Sequence, residues 1–251
     1  EALEKAVENL AQPEEFRKKY PGAATAPFAL AVGGSSNFFE YAVSISPRLF
    51  EGLKMTIAMT VCSLILGILV GLLSCFCSIS KSFILNKLSG AYLSIIRGTP
   101  LMVQATFIYF GLSAALNMPI TSFTASIIVL MLNSGAYLSE IFRSGISAIN
   151  KGQMEAARSL GLPHGVAMRK IILPQAFRIV IPSVTNQFII TLKDTSILSV
   201  IGVAEMMRQS QQLIANNFRA FETYAIVAVW YYVLVIILTK LFKLLERRLA
   251  N

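Results

Sequence analysis

Charge is scarce in this sequence. Only 14% of its 251 residues are Asp, Glu, Lys or Arg, against about 25% in an average soluble domain. Hydrophobic residues make up 55%, and the mean hydropathy is +0.65. That balance excludes an ordinary soluble domain and marks a membrane protein. Histidine occurs once, at His164, which excludes a multi-histidine metal centre and leaves no plausible Ser/His/Asp or Cys/His catalytic set. Cysteine occurs three times, and Cys62, Cys75 and Cys77 fall in one apolar run without a partner at ligand spacing. Buried membrane thiols are expected there, not a metal site or a disulfide. The Gly-x-x-x-x-Gly-Lys-Ser/Thr loop that cradles nucleotide phosphates is missing, so the chain is expected to bind no ATP itself, to need no cofactor and not to be an enzyme. Acids are outnumbered 13 to 22, a net charge of +9. Nucleic acid is one partner for such an excess, but basic loops at a membrane face explain it more simply, and no nucleic acid is expected.

What is present is a series of apolar runs. Residues 1–20 are charged, with Leu3, Ala6, Val7 and Leu10 on one helical face and no signal-peptide pattern; Pro21-Gly22 ends that stretch, and residues 23–36 read as a linker. Phe38 to Lys54 has the amphipathic character of a segment lying in the interface. Met55 to Ser80 is free of charge and long enough for a first span at about 20 residues per hydrocarbon thickness. Gly67 and Gly71 within it form a small-xxx-small pair that lets a neighbouring helix come close. Lys81 and Lys87 mark a loop. Charge is then absent from Gly98 to Ser139, too long for one helix, and Asn117-Met-Pro119 splits the run into spans near 100–116 and 121–142, the first opened by Thr99 and Pro100. A fourth span near 176–201 carries Lys193-Asp194, and residues 203–221 read as a polar external loop or interfacial helix. A fifth runs from Thr223 to Thr239, with Trp230, Tyr231 and Tyr232 inside it. Lys240, Lys243, Arg247 and Arg248 place the C-terminus in the cytoplasm. The expected fold is therefore all-α and polytopic, with five transmembrane helices, the N-terminus outside and the C-terminus cytoplasmic. Every basic cluster except Arg17-Lys-Lys19 then lies inside.

One polar segment stands apart. The loop 143–178 carries Arg143, Lys151, Arg158, Arg169, Lys170 and Arg178 against the single acid Glu155, so it is expected in the cytoplasm. Gly152 to Leu160 predicts a short helix, with Glu155 near its positive N-terminal end. Gly161 is its stop, and Pro163 opens a second short helix. Ala156 and Ala157 leave one side flat, so that another surface can approach. Just before the loop, Glu140 and Arg143 lie one turn apart and are spaced to pair.

The pattern Glu155-Ala156-Ala157, three residues, Gly161, nine residues, Ile171-Ile-Leu173-Pro174 resembles the EAA loop of permease subunits of bacterial ATP-binding-cassette importers, matching seven positions over 20 residues. Gly135-Ala-Tyr-Leu-Ser-Glu140-Ile-Phe-Arg143-Ser-Gly145 again resembles that family, and Ile96-Arg-Gly-Thr-Pro-Leu-Met-Val-Gln104 and Lys193-Asp-Thr-Ser-Ile-Leu-Ser-Val-Ile-Gly202-Val-Ala-Glu205 are similar to its amino-acid branch. The resemblance covers residues 48–250. It implies the type I importer fold over residues 37–251, in the bacterial cytoplasmic membrane, and import of a polar amino acid. It also implies a dimer of permease subunits, homomeric or heteromeric, and an external substrate-binding protein or fused binding domain, of which residues 1–36 resemble a remnant. ATP is bound by a separate ATPase subunit, docked on Gly152, Glu155, Ala156, Ala157, Arg158, Gly161 and Pro163. A secondary transporter or channel would keep the intramembrane charges without needing the loop, and a membrane scaffold or receptor subunit would need neither. For the translocation path the residues to consider are Asn133, Glu140, Lys193, Asp194 and Thr195. A zwitterionic substrate needs a donor for its carboxylate and an acceptor for its amine, and an ionisable group at membrane depth, costing about 2.5–3.5 kcal/mol, normally faces protein or water. A structural pairing of Lys193 and Asp194 with neighbouring helices is the alternative.

Overall fold

A computed structural model describes residues 37–250, without the side chains of the last two; the expected surface helix and linker of residues 1–36 lie outside the described residues. Every described element is helical: α1 (Phe38–Ile79), α2 (Phe83–Gly98), α3 (Leu101–Ala115, wound as a π-helix over Phe107–Leu112), α4 (Ser122–Ser147), α5 (Lys151–Ser159), α6 (His164–Ala167), α7 (Leu173–Asp194), a 3₁₀ segment (Thr195–Ile201), α8 (Met206–Asn217) and α9 (Ala220–Ala250). Three of them, Phe38–Ile79, Ser122–Ser147 and Ala220–Arg248, are long and apolar enough to cross a membrane. A fourth crossing results if His164–Ile201 and Met206–Asn217, bent by 45° at their junction, count as one broken span. The fold is that of an all-α membrane protein with large apolar side chains turned outward, as on α9, where only 11% of the apolar window is buried.

The segment expected to lie in the interface, residues 38–54, instead continues straight into α1. Pro47 does not break it. Forty-two residues at 1.5 Å each give a rod of about 63 Å, roughly twice the hydrocarbon thickness, so its first turns extend past the apolar slab. They are covered there by α8 and α9: Tyr41, Ile45 and Leu49 form one apolar cluster with Met206, Leu213, Ile226 and Val227. Of the two readings of residues 203–221, the helix is the one found, over Met206–Asn217, and it is packed because Met206, Ser210 and Leu213 recur on one face and are buried.

Gly67 and Gly71 do serve a close helix contact. A Cβ on Gly71 would lie 2.9 Å from Leu138 Cβ and 3.0 Å from the Gly135 carbonyl, and one on Gly67 would collide with Ser134 Oγ. The pairs 67 with 134 and 71 with 138 advance together, so α1 and α4 run parallel. Below them Gly145 receives Val180 of α7.

Residues 83–98, expected as part of a loop, are helix α2. It is anchored to α1 by Ser74 and Ser89, whose hydroxyls are 2.9 Å apart, and to α4 by the Tyr92 hydroxyl, which donates to the Leu132 carbonyl at 2.6 Å. Lys87, which with Lys81 marks this stretch as a loop, is exposed on the free side of the helix. The loop itself shrinks to residues 80–82.

Candidate functional site

The polar segment between α4 and α7 folds as the spacing predicts, with one refinement. Asn150 Oδ1 accepts the Gly152 N–H at 2.8 Å and starts α5. Gly161 ends it at φ +83°, in the left-handed region, and the Leu160, Gly161 and Leu162 amides return to the Ala156, Arg158 and Ala157 carbonyls. Pro163 precedes α6 with extended backbone, the conformation of a residue just outside a helix. A reciprocal amide pair, Gln153 with Gln175 at 3.1 and 2.6 Å, ties α5 to the start of α7. The two alanines divide the work. Ala157 is buried within the loop, while Ala156 faces out beside Glu155. Arg158, Gly161 and Pro163 are exposed too, as is Gly152. Leu160 is 82% exposed, an apolar side chain with no cover on the tip of the loop. The element presents a small rigid knob: an acid, a flat alanine and a bare leucine, held from behind by amide and backbone bonds.

At the loop's entrance Glu140 meets Arg143 through two bonds, 3.1 Å to Nε and 2.9 Å to Nη2. Arg97, from the end of α2, approaches the same carboxylate at 3.7 Å and lies over the Tyr137 ring. The expected pair is therefore a triad joining α4 to the break between α2 and α3. That break is held by Gln104, whose Nε2 donates to the Ile96 carbonyl and to both oxygens of Thr99.

Of the remaining path residues one lies on α4 and three follow one another where α7 passes into the 3₁₀ segment. Asn133 is 9% exposed in α4, two turns from Glu140. At the end of α7, Lys193 is exposed and Asp194 half-buried, while Thr195 is fully buried and donates to the Leu192 carbonyl at 2.7 Å. Glu140 is engaged by Arg97 and Arg143.

A buried acid outside those five residues sits at the bend between the 3₁₀ segment and α8. Glu205 is fully buried, and its carboxyl caps α8 by accepting the Met207 and Arg208 N–H groups at 2.7 and 2.6 Å. The Tyr231 hydroxyl of α9 donates to it at 3.1 Å. Its signal in the sequence is an acid closing an apolar run three residues after Gly202, whose φ of +82° makes the turn.

A family model for "binding-protein-dependent transport system inner membrane component" matches residues 63–251. Among curated relatives, the glutamine transport system permease protein GlnP of Escherichia coli is 45% identical over 204 residues, 81% of this chain and 93% of that protein. The arginine transport system permease protein ArtQ of Bacillus subtilis is 41% identical over 213 residues, 85% of this chain and 97% of that one. Among solved structures, an amino acid ABC transporter crystallised with histidines superposes with a TM-score of 0.81 at 40% identity, over 86% of this chain and all of that one. The MetNI methionine transporter superposes at 0.70 with 19% identity, over 83% of this chain and 99% of that one, a likeness of fold.

Proposed function

The chain belongs to the family of binding-protein-dependent transport system inner membrane components, and from that membership we propose how it works as the permease of an ATP-driven amino-acid importer. It is a non-catalytic inner-membrane component, and its family implies an ATPase and a binding protein as partners. The observation that carries the mechanism is the knob of α5. Glu155, Ala156 and Leu160 are uncovered, while Gly161 and the Gln153–Gln175 pair keep the knob from folding away. Uncovered apolar surface on a rigid polar element marks a docking site, and the ATPase subunit is the partner that fits it. When two ATPase subunits close on ATP they carry the α5 elements of two permeases with them; hydrolysis lets the pair relax. The triad of Arg97, Glu140 and Arg143 passes that movement from α4 to the break in the α2–α3 helix.

Five crossings are the finer reading of the fold. Because α1 and α4 are parallel, the chain between them returns across the bundle, and α2 with α3 forms that bent return. The basic ends then fall on one side with the α5 loop, in the cytoplasm, and α8 lies on the external side. Residues 37–251 form the transmembrane domain, with 143–178 as its coupling loop. Lys193 and Asp194 supply the polar surface of the path, with Asn133 and the buried Thr195 supporting it, for a polar amino acid of the kind the glutamine and arginine relatives are named for.

The test is reconstitution of the chain, a cognate ATPase and the binding protein in proteoliposomes. ATP-dependent uptake of glutamine or arginine is expected. Uptake without ATP would replace this reading with a secondary transporter.

A further inference from the structure

The acid and the base that meet at the start of α8 do not pair. Glu205 has both carboxyl oxygens occupied, Oε1 by the Arg208 N–H and Oε2 by the Met207 N–H and the Tyr231 hydroxyl. In discontinuous membrane helices the open N-terminus of a half-helix commonly receives an anionic group of the substrate. Here that position is filled by the chain's own carboxyl, so the α8 N-terminus is closed to an external anion.

The Arg208 side chain is left over. Its Nε is shielded from solvent and has no hydrogen-bond partner. Its one side-chain bond, from Nη1 to Gln211 Oε1, is 3.5 Å long, and Gln211 in turn donates to Ser199 of the 3₁₀ segment at 3.4 Å. Ion pairs are made by Lys54, Arg97, Arg143 and Arg219, and Arg208 takes part in none of these. A guanidinium offers five donors in a planar fork, and a shielded donor left unmade is costly. Nothing among the described residues supplies the matching fork. Residues 208 and 211 lie one turn apart on the α8 face that meets Ser199, five residues on from Asp194.

We propose that Arg208 is a substrate-binding residue, which takes the α-carboxylate of the transported amino acid in a bidentate pair. Gln211 holds the guanidinium in place. The proposal rests on the importer reading above and adds the residue that recognises the carboxylate. It also separates two roles at the bend: Glu205 is a positioning residue that fixes the first turn of α8, and Arg208 meets the ligand.

The test uses the purified permease–ATPase complex and two probes, L-glutamine and its decarboxylated analogue 4-aminobutanamide. Thermal stabilisation of the complex by each probe is read beside uptake in proteoliposomes. L-glutamine is expected to stabilise the wild-type complex and the analogue not, and Arg208→Gln is expected to abolish that difference and lower uptake at least tenfold. Arg208→Lys, which keeps the charge but loses the fork, should fall between. Equal stabilisation of wild type and Arg208→Gln by L-glutamine, with unchanged uptake, overturns the proposal. So does loss of the permease dimer in Arg208→Gln and Arg208→Lys alike, which would assign the guanidinium to an acid of the second subunit. Absence of ATP-dependent uptake in the wild type, with the stabilisation pattern intact, would sink the importer reading and leave the carboxylate site standing.

Discussion

Tyr231 shows how much one hydroxyl can hold in this molecule. It reaches from α9 to the buried Glu205 at 3.1 Å, and so joins the last long helix to the cap of α8. Tyr231→Phe keeps the ring and leaves the carboxyl with two backbone donors. The expected loss is about 1–2 kcal/mol, which a thermal scan in detergent should show as a midpoint lower by on the order of 5 °C. An unchanged midpoint would mean that the bond contributes nothing. Lys193 and Asp194 test the path at the same scale. They are adjacent, about 100° apart on a helix, and the structure leaves the lysine exposed and the acid half-buried. Lys193→Met and Asp194→Asn are expected to let the complex assemble but to abolish or alter substrate uptake; loss of assembly in both would make them structural. Single residues were unevenly legible in the sequence. Gly67 and Gly71 follow from spacing alone, and so does the Glu140–Arg143 pair. Arg97 as the third member of that cluster, and Tyr231 as the donor that reaches Glu205, depend on partners 43 and 26 positions away, which no local pattern reveals.

The element that can be tested by itself is α5. Its C-terminus requires φ +83° at Gly161, and a Cβ there would meet nothing within 4 Å. The obstacle to a side chain is therefore backbone strain, about 1–2 kcal/mol in the left-handed region, and not a clash. Gly161→Ala introduces only that strain, whereas Gly161→Leu also adds bulk beside the exposed Leu160, on the face proposed to dock the ATPase. Glu155→Lys reverses the one acidic charge of that face and sets a cation near the helix N-terminus. Gly161→Leu and Glu155→Lys are expected to lower both co-purification of the ATPase and uptake by tenfold or more, with Gly161→Ala milder. Normal uptake by both severe variants would remove α5 from the coupling role. This element was the most legible part of the chain, because its start, stop and exposure are set by neighbours within a few residues. By contrast α2 was hidden behind the exposed Lys81 and Lys87, and for α8 the choice between loop and interfacial helix stayed open; both helices also carry polar side chains that are satisfied by other helices. Periodicity sees the polarity and not the partner, as with Ser89 and Tyr92 on α2 and Glu205 at the head of α8.

At the scale of the whole molecule, orientation follows from where the basic residues gather and from the parallel register of α1 and α4. If α2 and α3 form one returning crossing, residues 80–82 and the α5 loop share a side, and the exposed face of α8 lies on the opposite one. Single cysteines in a background free of Cys62, Cys75 and Cys77 test this with a membrane-impermeant thiol reagent. Ser82 and His164 are exposed and suit one side. On the other side Gln212 and Asn216, both exposed and one turn apart on α8, are better reporters than Gln209, whose Cγ would lie 3.0 Å from a Cβ on Gly52 and which is thus half covered by α1. Labels at 212 and 216 should react in intact cells freed of their outer barrier, and labels at 82 and 164 only after permeabilisation. If residue 82 reacts from outside while 164 does not, α2 and α3 do not return across the membrane and the five-crossing reading fails, although the coupling loop keeps its place. If 164 reacts from outside, the ATPase cannot reach α5, and the importer mechanism fails with it.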